Sequence, residues 1–175
     1  MLEKKSMEEL QRMSVETFHS SQKLPLIVIL DQVRSALNVG SIFRSSDAFS
    51  VEAIYLCGYT PCPPQREILK SALGSTESVQ WLHFETTEAA IASLPSTYEI
   101  WALEQTHNSV PLHEFKSNTG IALILGNEVD GVNDEVLKLC KGALEIEQFG
   151  TKHSLNVSVS AGIALFHLSQ QLKER

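Results

Sequence analysis

The 175-residue sequence lacks long hydrophobic runs and a leader of the secretory type. Its longest wholly apolar runs, residues 24–30 and 121–125, are far shorter than the roughly 20 residues that a membrane-spanning helix needs. The first ten residues are charged and contain no apolar signal core, which argues against export. We therefore expect a cytoplasmic protein with no membrane partner.

Cysteine is also scarce. The three cysteines, Cys57, Cys62 and Cys140, are an odd number, which is typical of a reducing compartment rather than of a disulfide framework. Cys57 and Cys62 are close enough in sequence for a metal knuckle, but no second pair of ligands accompanies them. We therefore expect no metal site.

Positive charge is in deficit, because 14 Lys and Arg residues face 21 Asp and Glu residues and the net charge is −7. This balance excludes a uniformly basic surface for binding nucleic acid. Residues 1–44 differ from the rest, since they carry six cations against five anions. A local basic patch around Lys4, Lys5, Arg12, Lys23 and Arg34 therefore remains possible.

Three common catalytic motifs are missing. The sequence contains no G-x-G-x-x-G, no G-x-x-x-x-G-K-[ST] and no G-x-S-x-G. These motifs bind dinucleotides, cradle phosphates and present a serine nucleophile, respectively. The sequence therefore gives no support for a conventional nicotinamide enzyme, kinase or hydrolase.

Apolar runs that alternate with helical patterns predict an α/β domain, with a mostly parallel sheet flanked by helices. The predicted strands are residues 24–30, 51–56, 79–84, 98–103 and 120–125, and the predicted helices are residues 3–20, 40–49, 87–94, 133–139 and 154–172. Ligands of such sheets bind at the carboxyl ends of the strands. The loops after Leu30, Leu103, Leu125 and Ile146 are therefore the places to look for chemistry.

The last helix contains an apolar stripe. Its members recur at helical spacing and are predicted to face the core: Leu155, Val159, Ile163 and Phe166.

Three polar segments follow the predicted strands. In residues 38–44, Asn38 is a good helix cap and Arg44 is suited to phosphate, although a capped helix with one surface arginine is the plainer interpretation. Residues 125–131 place Glu128 at a strand end, or form an ordinary strand-to-helix turn. In residues 146–158, Ser154 is predicted to cap the last helix, whose free amides favour an anion.

The combination and order of these segments resemble a known family. N-x-G-x-x-x-R (residues 38–44), G-N-E-x-x-G (126–131) and S-L-N-V-S-V (154–159) are similar to the three signature motifs of the SpoU/TrmH family of RNA 2′-O-methyltransferases. That family belongs to the SPOUT superfamily. Residues 70–75 and 101–104 are also similar to family members, so the resemblance covers most of the chain.

The resemblance implies a C-terminal deep trefoil knot, S-adenosylmethionine as methyl donor without a metal, and a homodimer whose active site draws on both subunits. It implies catalytic roles for five residues: Arg44, Asn38, Glu128, Ser154 and Asn156. It places twelve residues around the cofactor: Leu103, Glu104, Leu125, Gly126, Asn127, Glu128, Ile146, Gln148, Phe149, Ser154, Leu155 and Asn156. Many members have Pro-Met where this chain has Glu147-Gln148. Because backbone atoms make most contacts there, we expect cofactor binding to be retained.

The expected activity is methylation of a ribose 2′-hydroxyl in RNA, with transfer RNA as the first substrate candidate and ribosomal RNA as the second. We expect residues 1–23 to form a helical extension and residues 24–175 to form the catalytic domain. Two alternatives stay open at this point. One is a catalytically weak or inactive protein of the same fold that binds RNA or S-adenosylmethionine, and the other is a different α/β cofactor-binding enzyme.

Overall fold

A computed structural model describes residues 2–6, 8–10 and 12–173. Its strands form one sheet, and every pairing between neighbours is parallel. The strands are β1 (Leu24–Asp31), β2 (Val51–Cys57), β3 (Gln80–Phe84), β4 (Tyr98–Leu103), β5 (Val110–Pro111), β6 (Gly120–Leu125) and β7 (Gly142–Glu145). Their order across the sheet is β3-β2-β1-β6-β4-β7-β5. The predicted α/β class with a parallel sheet is thereby confirmed.

Helices cover both faces of this sheet. They are α1 (Val15–Ser20), α2 (Ala36–Ala48), α3 (Arg66–Ala72), α4 (Ser75–Ser78), α5 (Thr87–Ala92), α6 (Asp134–Leu137) and α7 (Val157–Lys173). Successive strand residues point to opposite faces, so β1 contributes to two apolar clusters. Leu26, Val28 and Leu30 pack in one cluster with α2, α3 and α7, whereas Ile27 and Ile29 pack in the other with α5 and α6.

Glycine sets the spacing between α2 and its neighbour α3. A Cβ atom on Gly40 would lie 2.1 Å from the hydroxyl oxygen of Ser71 and 2.3 Å from the carbonyl oxygen of Ile68. Only a residue without a side chain permits this approach. Gly40 of the first motif therefore has a packing role in the interior of α2.

Several elements differ from the sequence-based expectation. Within the described part of the predicted helix over residues 3–20, only α1 is helical, and positions 7 and 11 lie outside the described residues. Helix α7 begins at Val157 rather than at residue 154. The short elements α3, α4, β5 and β7 were not predicted, because runs of two to seven residues carry little periodicity. The proposed division at residue 23 stays a prediction, as does the trefoil knot. Among the described residues, no helix combines the length and the apolar character that crossing a bilayer requires.

The prediction that the apolar stripe of the last helix faces the core was wrong. Its members are 38% to 57% exposed: Leu155, Val159, Ile163 and Phe166. The opposite face of α7 is buried instead, and it carries the smaller side chains Ala161 and Ala164 beside Leu165 and Leu168. Small residues let the helix approach α2 and the sheet closely, so the larger apolar side chains point away from the core.

Candidate functional site

Glu128 ties the second motif to the first. Its carboxylate accepts hydrogen bonds from the backbone N–H groups of Arg34 (2.9 Å) and Ser35 (3.1 Å) and from the side-chain amide of Asn38 (2.8 Å). These partners lie 90 to 94 residues away in the chain, at the start of α2. The carboxyl edge of the sheet brings them together, since β1 and β6 are parallel neighbours.

The third motif joins the same cluster. The Asn156 Nδ2 donates to Asn38 Oδ1 over 3.2 Å, and Asn156 Oδ1 accepts from the backbone N–H of Ser158 over 2.9 Å. We call Glu128, Asn38 and Asn156 the junction. The junction brings one side chain from each of the three sequence motifs into a single hydrogen-bonded chain.

Two helix caps differ from the prediction. Ser35, not Asn38, caps α2, because its hydroxyl accepts from the backbone N–H of Asn38. Asn156, not Ser154, accepts the N–H groups at the start of α7. Because Ser35 caps α2, the side chain of Asn38 is available for the junction. Asn156 caps α7 through its Oδ1, which leaves its side-chain amide free to donate to Asn38.

A cavity of about 680 Å³ opens at the carboxyl ends of β4, β6 and β7. Its volume lies within the range of roughly 300–1,000 Å³ that is typical of small-molecule sites. It is lined by eleven of the twelve predicted cofactor residues: Leu103, Glu104, Leu125, Gly126, Asn127, Glu128, Ile146, Gln148, Ser154, Leu155 and Asn156. The twelfth, Phe149, does not line the cavity, and its side chain is 92% exposed.

The G-N-E loop is tightly built against the end of β4. A Cβ on Gly126 would lie 2.1 Å from the carbonyl carbon of Gly131, and a Cβ on Gly131, where φ is +72°, would lie 2.3 Å from Glu104 Oε2. Glu104 accepts from the N–H groups of Gln105 (2.8 Å) and Val132 (3.1 Å). Close approach to backbone atoms therefore requires glycine at position 126, whereas the positive φ favours glycine at position 131, and Glu104 braces the cavity wall.

The loop before α7 forms the outer wall of the cavity. We call residues 147–155 the rim loop, and every residue in it except Gln148 is exposed. The Gln105 side chain donates to the carbonyl oxygen of His153 over 2.8 Å. Glu147 does not line the cavity, because it pairs with His113 at 3.4 Å on the outside. The unusual carboxylate at this position therefore lies away from the cavity.

The sequence analysis did not single out Gln105. Its position could have indicated a role, because it lies in the loop that follows the predicted strand end at Leu103.

Apolar and acidic groups share the cavity lining. Leu103, Leu125, Ile146 and Leu155 supply apolar surface, and five carboxylates supply negative charge: Glu104, Glu128, Asp130, Asp134 and Glu145. Among the described residues, no lysine or arginine lines the cavity. This combination suits a ligand that has both a flat apolar part and positive charge.

The pKa of Glu128 is below its ordinary value. Burial alone would raise this pKa, but the hydrogen bonds from the Arg34 backbone and the Asn38 side chain outweigh burial. Donors at a helix N-terminus favour the charged carboxylate. Glu128 therefore stays ionised at neutral pH, and its contribution to the junction is lost only as the pH falls through this lowered pKa.

Arg44 lies outside the cavity. Its side chain is exposed on the face of α2 that points away from the core. Leu37 and Ser41 lie on the same face, because they precede Arg44 at helical spacing. Among the described residues, no carboxylate forms an ion pair with it. The predicted catalytic set is thus divided, with Asn38, Glu128 and Asn156 joined, Ser154 in the cavity lining and Arg44 apart.

The predicted basic patch is also smaller than expected. Lys23 lies 3.6 Å from the centre of the Phe18 ring and donates to the Phe18 carbonyl oxygen, and burial lowers its pKa. The remaining members of the predicted patch are exposed: Lys4, Lys5, Arg12 and Arg34.

The model of the SpoU rRNA Methylase family matches residues 25–166. The chain belongs to this family. The chain is 27% identical to the 23S rRNA (guanosine-2′-O-)-methyltransferase RlmB of Pasteurella multocida over 93% of this chain and 67% of that protein. It therefore spans about two thirds of the length of the curated relatives it matches.

Solved structures of SpoU proteins share the fold. A TrmH/SpoU tRNA modifying enzyme of A. aeolicus has a TM-score of 0.79 and 27% identity, over 91% of this chain and 81% of that chain. An AdoMet-bound rRNA methyltransferase from Sinorhizobium meliloti has a TM-score of 0.80 and 28% identity, over 93% and 62%. These likenesses confirm the family and fold that the three motifs indicated.

Proposed function

We propose that this protein is an S-adenosylmethionine-dependent methyltransferase that modifies a ribose 2′-hydroxyl in RNA. The observation that carries the proposal is the junction, which links the three family motifs at one wall of the cavity. Membership of the SpoU family supports the same chemistry. The RNA is a transfer RNA or a ribosomal RNA, the two classes named for the relatives.

The cavity lining fits S-adenosylmethionine. Leu103, Leu125, Ile146 and Leu155 offer apolar surface for an adenine, and the five carboxylates complement a sulfonium and an ammonium group. When bound, this cofactor would supply an electrophilic methyl group on a positively charged sulfur. The ribose 2′-oxygen would form its bond to the methyl carbon in line with the breaking carbon–sulfur bond, and the hydroxyl proton would be released to solvent. Holding reactants in line contributes up to about 7–11 kcal/mol in favourable cases.

The junction positions groups at the methyl-transfer site. The Glu128 carboxylate already accepts three hydrogen bonds, so its role is to orient Asn38 rather than to take a proton. Asn38 in turn orients Asn156 beside the cavity. Ser154 and Asn156 are then available to contact the cofactor or the ribose.

Arg44 acts on the RNA, as a clamp for phosphate and for the developing negative charge on the ribose oxygen. An arginine rarely gives up its proton in proteins, because its pKa lies above about 12. Its fork of parallel donors instead suits a phosphate. Since Arg44 lies outside its own cavity, the complete site requires a second subunit.

A second copy of this chain covers the outer face of α2 and α7. Leu37 on α2 and the α7 stripe of Val159, Ile163 and Phe166 are 41% to 57% exposed, and together they form an apolar surface. Contiguous exposed apolar surface is typical of a protein interface. Arg44 lies on the same stripe of α2 as Leu37, so a homodimer through this face carries Arg44 to the partner.

Methyl transfer provides the direct test. Purified protein is incubated with tritium-labelled S-adenosylmethionine and either total transfer RNA or ribosomal RNA, and calorimetry measures cofactor affinity separately. We expect tritium in RNA, and we expect Arg44→Lys to lose most of this transfer while cofactor affinity is unchanged. Arg66→Lys, on exposed α3, is the matched control. Failure of the wild type to bind the cofactor would refute the proposal, and loss of cofactor affinity in Arg44→Lys would refute the role of Arg44.

Sedimentation tests the homodimer. Ile163→Glu places a charge in the centre of the apolar face, and we expect it to yield monomers that still bind S-adenosylmethionine but transfer no methyl group. Gln80→Glu adds the same charge on β3, away from that face, and is expected to remain dimeric. A monomeric wild type with full activity would contradict the shared site.

A further inference from the structure

We propose that Phe149 is a stacking platform for an unpaired base of the substrate RNA, an inference that rests on the proposed function. Phe149 is the most exposed aromatic side chain among the described residues, at 92%, compared with 57% for Phe166 and 56% for Tyr59. Phe166 belongs to the apolar face of α7, and the Tyr59 hydroxyl accepts a hydrogen bond from Asn127. Phe149 lies outside that apolar face, and its ring stacks on no other ring of the described residues.

The ring stands at the edge of the cavity. Gln148 and His153, on either side of it in the rim loop, line the cavity, whereas Phe149 does not. The adjacent Gly150 faces open space, because a Cβ atom there would meet nothing within 4 Å. An incoming RNA can therefore reach the ring without displacing any part of the protein.

Charge directs the RNA backbone to the same edge. The five carboxylates of the cavity repel phosphate, so the sugar–phosphate chain must run outside the cavity. Lys152, three residues after Phe149, and Arg34, whose backbone binds Glu128, are exposed cations beside the cavity. No described carboxylate forms an ion pair with either of them. Lys152 is placed to hold a phosphate next to a base that stacks on the ring, and Arg34 is placed to hold a phosphate on the junction side of the cavity.

The chemistry of the ring selects single-stranded RNA. Bases within a duplex are stacked on one another, whereas unpaired bases in loops and ends stack on aromatic side chains. Such stacking tolerates any base, because each has a π-face. Phe149 therefore contributes affinity for unpaired RNA without reading its sequence.

Fluorescence anisotropy with a labelled single-stranded RNA oligonucleotide of mixed sequence tests this contact without requiring turnover. Phe149→Leu keeps an apolar side chain but removes the ring, and we expect it to bind the oligonucleotide about tenfold more weakly. Phe149→Trp keeps a ring and is expected to bind like the wild type. The same oligonucleotide annealed to its complement should bind all three proteins equally.

Leu82→Ala, on exposed β3, is the control for loss of apolar surface elsewhere. Calorimetry with S-adenosylmethionine separates the two possible roles of the ring, and we expect Phe149→Leu to leave cofactor affinity unchanged. A loss of cofactor affinity with intact RNA binding would overturn the proposal, as would equal RNA binding by the Leu and wild-type proteins. If Phe149→Leu weakened RNA binding but the wild type transferred no methyl group to RNA, the proposed function would be refuted. The contact between Phe149 and RNA would still stand.

Discussion

The junction and the rim loop lie on opposite sides of one cavity and are held in different ways. Four hydrogen bonds join Glu128, Asn38, Asn156 and the start of α2, and they fix the Glu128 loop against α2 and the beginning of α7. The rim loop, residues 147–155, is held to the body at His153 by Gln105 and at Glu147 by His113.

This difference separates two tasks. Groups that position reacting atoms gain from being fixed before the substrate arrives, because small displacements are costly in rate. Groups that contact a large, variable ligand such as RNA gain from freedom to adjust. The junction is built for the first task, and the rim loop suits the second.

Breaking the junction should have the largest effect. Asn38→Asp removes the amide that donates to Glu128 and places a second carboxylate beside it, while leaving an oxygen for Asn156. We expect methyl transfer to fall by about 100-fold, the loss that a displacement of about 1 Å can cause. Tritium transfer to RNA at saturating cofactor measures it. Asn108→Asp adds the same charge in the exposed loop after β4 and should be almost fully active, and equal activity of the two variants would show that the junction positions nothing.

The junction was largely predictable from the sequence, and its neighbourhood was not. Glu128, Asn38 and Asn156 belong to motifs that follow strand ends, and parallel strands place their carboxyl ends at one edge. The caps were predicted wrongly because Ser35 and Asn38, like Ser154 and Asn156, are both acceptable capping residues. Only the tertiary hydrogen bonds decide which member of each pair caps the helix.

The orientation of α7 was harder to predict from sequence. Its stripe of Leu155, Val159, Ile163 and Phe166 has the periodicity of a core-facing surface, and a surface that faces a second subunit has the same periodicity. The buried face instead relies on Ala161 and Ala164, whose small size matters only once α2 is known to lie against them. The hydrophobic pattern alone cannot distinguish a surface that faces the core from one that faces a second subunit.

Releasing the rim loop should have a moderate effect. Gln105→Leu removes the hydrogen bond to the His153 carbonyl, and a hydrogen bond of this kind contributes about 1 kcal/mol. We expect calorimetry to show that S-adenosylmethionine binds about fivefold more weakly. Without this hydrogen bond the rim loop spends less time in the position that closes the cavity. The melting temperature should fall by no more than about 2–4 °C, the shift that a loss of 1 kcal/mol causes in a domain of this size.

Asn108→Leu is the matched control for this experiment. It makes the same amide-to-apolar change in the same exposed loop. Equal cofactor affinity in the two variants would mean that the Gln105 hydrogen bond does not shape the cavity.

The smallest effect is expected at the other attachment of the rim loop. Glu147 and His113 are 49% and 64% exposed, and ion pairs between exposed groups contribute about 0–1 kcal/mol. Glu147→Gln keeps the shape of the side chain and removes its charge, so cofactor affinity should stay within about twofold of the wild type. His113→Gln removes the same pair from its other side and should give the same result by calorimetry. If Glu147→Gln alone changed cofactor affinity tenfold in either direction, the carboxylate would be acting inside the cavity, and the rim loop would have to lie closer to the junction than the structure has it.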